Sequence, residues 1–123
     1  MPRGPAIPLE IQAEVQKLVE EFNYKNFSTP SPLSRLLPGR NLETFYVARF
    51  KGKFLFLDRA ELGSKPSPIS RLTWTGAMDN WEFTIYKYSD NIYDPEEWGF
   101  PGAELLDGTV TGAMEAGMEA YPI

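Results

Sequence analysis

The stretch Thr44-Phe45-Tyr46-Val47-Ala48-Arg49-Phe50-Lys51-Gly52-Lys53-Phe54-Leu55-Phe56-Leu57-Asp58 decides the fold. Two runs rich in aromatic and branched residues flank Lys51-Gly52, the pattern of a β-hairpin closed by a two-residue, glycine-bearing loop. Strands are predicted over 44–50 and 54–58. Ile69 to Thr73 and Trp81 to Tyr88 carry the same signal and are separated by the turn-forming run Thr75-Gly76-Ala77-Met78-Asp79-Asn80. Short links between successive strands predict a four-stranded antiparallel meander.

Opposing residues of antiparallel strands share a face, so the register sorts the side chains. Setting Phe50 against Lys53 places Ala48 opposite Leu55 and Tyr46 opposite Leu57. Setting Trp74 against Trp81 places Leu72 opposite Phe83 and Ser70 opposite Ile85. One face then collects Ala48, Leu55, Leu57, Leu72, Trp74, Trp81, Phe83 and Ile85, which is a core face. The other collects Phe45, Val47, Arg49, Phe54, Phe56, Arg71, Thr73, Glu82, Thr84 and Tyr86. A merely solvated face would not carry so many large rings.

Outward from the sheet, Leu9 to Phe22 reads as a helix, with Ile11, Val15, Leu18, Val19 and Phe22 on one stripe and Glu10 and Glu14 near its positive end. Residues 1–8, with three prolines and a glycine, read as a flexible leader. Residues 23–42 are broken by Pro30, Pro32, Pro38 and Gly39, with a helical turn expected over 33–37. Residues 89–106 read as irregular. Asp107 reads as the N-cap of a second helix running to about Ala120, with Val110, Ala113, Met114, Gly117, Met118 and Tyr121 inward. Gly112 and Gly117 each cost about 1 kcal/mol of helix propensity relative to alanine, so packing must hold this helix. The expected fold is α+β, with both helices on the core face (α-β-β-β-β-α), residues 9–123 forming a single domain.

With 123 residues, the chain is long enough to bury one core without disulfides or metal. It contains no histidine and no cysteine. That removes Ser-His-Asp and Cys-His catalysis, Cys/His zinc sites, Fe–S clusters and His- or Cys-ligated haem. No catalytic motif stands out among the remaining carboxylates, lysines and hydroxyls, so no catalytic residue, metal ligand or cofactor is assigned and the expectation leans against an enzyme. Net charge is −5, which disfavours nucleic acid as a partner. No apolar run approaches a membrane span or a secretory signal, and the expected location is the cytoplasm.

The strongest candidate surface is the second sheet face, where Arg49 and Arg71 lie among Phe45, Phe54, Phe56 and Tyr86. Arginine on aromatic rings recognises anions and carboxylate-bearing partners. Three covers would satisfy that face: residues 23–42 of the chain itself, a second copy or protein partner, or a small-molecule anion. A binding or interaction module, self-associating through this face, is the expected function. Arg71 is also expected to find an acid such as Glu82. The rival is a carboxylate-based or metal-dependent enzyme using Asp90, Asp94, Glu96 and Glu97, although their spacing misses the EF-hand template and lacks its glycine. Gly99 and Gly102 lack the Lys-Ser/Thr of a phosphate loop.

Overall fold

The computed structural model describes residues 6–26, 45–60, 65–97 and 99–121. Helix α1 (Leu9–Asn26) leads into β1 (Phe45–Lys51), β2 (Phe54–Ala60), β3 (Ser67–Thr73), β4 (Glu82–Lys87) and β5 (Ile92–Asp94). A single 3-10 turn at Ala103–Leu105 precedes helix α2 (Val110–Ala120). The strands form one antiparallel sheet in the order β1-β2-β3-β4-β5. The fold is thus α+β, but the meander has five strands rather than four. The extra strand lies in the stretch read as irregular. It spans three residues and is bounded by polar turn residues and Pro95, too short for a period of two to show.

The β3–β4 register is the expected one, with Leu72 opposite Phe83 and Ser70 opposite Ile85. The β1–β2 register differs by two residues: Phe50 faces Leu55, Ala48 faces Leu57 and Tyr46 faces Arg59. The cause is the loop. Gly52 adopts φ +59° and takes the first central position of the turn, so Gly52-Lys53 closes the hairpin instead of Lys51-Gly52. A turn with positive φ only at its first central residue is of the kind that selects glycine there. A two-residue shift preserves parity, so every side chain stays on its expected face. A bulge at Leu57/Asp58 leaves Ile69 without a partner on β2, and both Ile69 and Ser70 are buried.

The core lies between the sheet and the two helices. Leu55, Leu57, Leu72, Trp74, Trp81, Phe83 and Ile85 are buried there with Val15, Val19 and Phe22 of α1 and Val110, Ala113 and Met114 of α2. Ala48, near the β1 edge, is only half-buried. Helix α1 runs to Asn26 because Asn23 has work at the sheet edge: its amide accepts from the Tyr46 N–H at 2.8 Å and donates to the Tyr46 carbonyl at 3.0 Å. The helix thereby imitates a neighbouring strand on an otherwise open edge. The start of α2 also differs from expectation. Thr109 is the N-cap, its hydroxyl accepting from the Gly112 N–H at 3.0 Å, and Asp107 backs it by accepting from the Thr109 N–H at 3.0 Å. Ile7, at the end of the presumed loose leader, is buried and donates its N–H to the Gly52 carbonyl at 3.0 Å. Residues 27–42, including the turn expected at 33–37, lie outside the described residues.

Two substitutions test this packing by denaturant unfolding. Phe83 is buried and stacks on Phe100 at 5.6 Å, so Phe83→Ala should cost about 3–5 kcal/mol. Gly117 touches the sheet: an added Cβ would sit 2.8 Å from Ile69 Cγ2 and nearer still to the Tyr46 hydroxyl. Gly117→Ala should gain about 1 kcal/mol of helix propensity and lose about 1–3 kcal/mol to overpacking. A net stabilisation would show that α2 sits farther from the sheet than described.

Candidate functional site

The register lines up the residues of the second face in a row. Arg49 on β1 faces Phe56 on β2, which faces Arg71 on β3, which faces Thr84 on β4. The Arg49 guanidinium carbon lies 4.3 Å from the centre of the Phe56 ring. That of Arg71 lies 4.6 Å from Phe54 and 5.4 Å from Tyr93. Lys53 Nζ stands 5.6 Å from the Phe54 ring. The rings touch one another, Phe54 to Phe56 at 6.1 Å, Phe56 to Tyr93 at 5.5 Å and Tyr93 to Tyr86 at 4.9 Å. In a flat sheet β2 and β5 would stand about 14 Å apart, three strand spacings. The Phe56–Tyr93 contact therefore needs both side chains to reach across the intervening strands, so that β5 brings its tyrosine to the row.

The two arginines differ electrostatically. Arg49 Nε donates to Asp58 Oδ2 at 3.2 Å; the Asp58 side chain is 10% exposed and that of Arg49 52%. A pair this open is worth about 1 kcal/mol or less, yet it keeps a buried carboxylate from standing alone. Burial pushes the Tyr93 phenol up, as does the Asp58 charge, against the pull of Arg49. Arg71 makes no ion pair among the described residues. Glu82, the acid expected beside it, faces Thr73 instead and is exposed. Arg71 Nε is buried with no hydrogen-bond partner, and so is Asp58 Oδ1.

The structure thus gathers Arg49, Arg71, Phe54, Phe56 and, through Tyr93, Tyr86. It leaves Phe45 out: four residues from Arg49, about 13 Å along the strand, it faces Ala60 and packs against the main core. Tyr93 and Asp58 were missed. The signal for Asp58 was its alternation with Phe54 and Phe56; Tyr93 had none, because β5 itself was not legible. The rings are half-buried rather than bare, since the arginines and Tyr93 lie against them.

The acidic loop is already occupied. Lys87 Nζ reaches Asp90 at 3.7 Å, Asp94 at 3.6 Å and Glu97 at 3.1 Å, so a lysine stands where a cation would be held. Glu97, through its hydrogen bond and charge, pushes the Lys87 ammonium up. Among the described residues no group of three or more acidic side chains is placed to hold a metal ion. A cleft of about 390 Å³ opens between β4 and the first turn of α2, lined by Leu72, Trp81, Phe83, Leu106 and Ala113 with Glu82 and Thr109 at its polar end. It has no cation, and the helix end beside it is capped. Among the described residues no helix is long and apolar enough to cross a membrane. No family model, curated protein or solved structure matches the chain.

Four tyrosines, Tyr46, Tyr88, Tyr93 and Tyr121, each have the phenol pushed up from its ordinary value, chiefly by burial. A raised pKa in the folded state means that the unfolded chain gives up its proton first. Their contribution to stability should be whole below pH 10 and fall as pH rises through the raised values. Urea melts should show this decline, and Tyr46→Phe should make it shallower; an unchanged slope would mean that Tyr46 is not the buried phenol described.

Proposed function

We propose that the protein is a non-catalytic binding module whose second sheet face takes an acidic partner, a carboxylate-bearing peptide segment or small anion. One observation carries the reading: Arg71 is backed by the Phe54 and Tyr93 rings, partly desolvated, and matched by no acid among the described residues. A guanidinium held flat against rings keeps its donor edge oriented, and a carboxylate can meet that edge with two parallel hydrogen bonds. Lys53 adds positive charge beside Arg71, Arg49 being paired with Asp58, while the chain as a whole is negative. The face therefore favours an acid by local field rather than by net charge.

Self-association through the same face fits less well. In a two-fold contact the same patch meets itself, so the positive charges of Arg49, Arg71 and Lys53 would be doubled within one interface. Against the carboxylate-enzyme reading, Lys87 pairs with Asp90, Asp94 and Glu97 of that loop.

Anisotropy of a labelled Asp/Glu hexapeptide tests the proposal. Binding should weaken about tenfold in Arg71→Gln, the size of one lost charge-assisted interaction, while the unfolding transition stays put. No binding, or equal binding by Arg71→Gln, would overturn the reading. So would a doubled mass in light scattering that Phe56→Glu abolishes, because the face would then be a dimer contact.

A further inference from the structure

A third arginine is buried on the opposite face. Arg59 is 8% exposed and sits where the bulged end of β2 meets the last turn of α2. Its guanidinium donates to the Gly117 carbonyl at 3.2 Å, to the Tyr46 hydroxyl at 3.4 Å and to the Tyr121 carbonyl, and Nε has no partner. No carboxylate pairs with it among the described residues. The end of a helix supplies the equivalent of roughly half a negative charge, which leaves about half of the guanidinium charge uncompensated. Burying charge without full compensation costs free energy, so the site gains from an anion.

There is room for one. A cleft of about 190 Å³ is bordered by Arg59, Ser67, Ile69, Tyr88 and Tyr121. At roughly 30 Å³ per water that is the space of about six waters, enough for a tetrahedral oxyanion with part of its hydration. Ser67, the register partner of Arg59, borders the cleft with its hydroxyl in hydrogen-bonding contact with the Tyr88 phenol. Tyr88 is tied by its phenol to the Pro68 carbonyl at 2.6 Å and forms an aromatic wall with Tyr121 at 5.3 Å.

We infer that this cleft is an oxyanion subsite, taking inorganic phosphate or the terminal phosphoryl group of a monoester, with Arg59 and Ser67 as its donors. It is separate from the Arg71 face. Thermal unfolding with inorganic phosphate, at ionic strength held constant with chloride, tests it. Phosphate should raise the melting temperature saturably. Ser67→Ala should weaken that response about tenfold, the value of a hydrogen bond to a charged group. Arg59→Lys should remove it if the variant folds. Ser67→Asp, which lends the cleft a resident carboxylate, should raise the melting temperature without phosphate and abolish the response. Phenyl phosphate tells the sources apart: a response with the same dependence on Ser67 marks a monoester site, and a response to inorganic phosphate alone marks a free-anion site. Equal shifts from phosphate and chloride would overturn the inference, as would a phosphate response that Arg71→Gln removes and Ser67→Ala leaves intact.

Discussion

The fold turns on the buried hydroxyl of Tyr46. Its phenol donates to the Met114 carbonyl of α2 at 2.8 Å and accepts from Arg59 of β2, while its ring meets Phe22 of α1 edge-on at 5.6 Å. Its backbone is held by Asn23. One residue of an edge strand thus fixes both helices and the neighbouring strand. Such a joint suits a small domain whose second helix is weak on its own: α2 carries two glycines in 11 residues and has no basic side chain in its last turn. Arg59 supplies that missing cation from the sheet, so the helix end is completed by a different part of the chain.

Parity then separates two kinds of arginine. Arg59 points into the helix layer and Arg49 and Arg71 point away from it, because they stand at opposite phases of the pleat. On the helix side a guanidinium finds carbonyls at the end of α2, which take part of its donors and leave Nε without a partner. On the other side no helix end is available: Arg49 lies on Phe56 and pairs with Asp58, and Arg71 lies on rings alone. A ring face is a weaker partner than a carboxylate and makes no directed hydrogen bond to the guanidinium edge. The same residue type is therefore tied to a helix end in one layer, while in the other Arg71 is backed by rings and matched by no acid among the described residues.

Much of this was legible because it depends on periodicity. Leu72, Phe83 and Ile85 announce the core face, and Arg49 and Arg71 announce the other, since an error of two residues in register leaves parity intact. What the pattern could not show depends on single turns and on distance in space. The hairpin loop moved by one residue because Gly52 occupies the first central position of the turn. β5 escaped because three residues carry no period, and with it went Tyr93, the ring that brings Tyr86 to the arginine row. Lys87 at the centre of the acidic loop was unreadable for the same reason: its three partners, Asp90, Asp94 and Glu97, converge only once the chain has turned at Asn91, in a left-handed conformation at φ 59°.

That turn also links stability to the candidate face. Lys87 ties together residues on both sides of the β4–β5 hairpin, and the hairpin presents Tyr93 to Phe56 and Arg71. The ion pairs are partly exposed, and they weaken as salt screens them. The aromatic contacts beneath are not screened. The hairpin is therefore held by one set of forces that salt reduces and another that it leaves alone. Tyr93 accordingly belongs to the aromatic layer that backs Arg71, while the lysine cluster ties the hairpin from the opposite phase of the pleat.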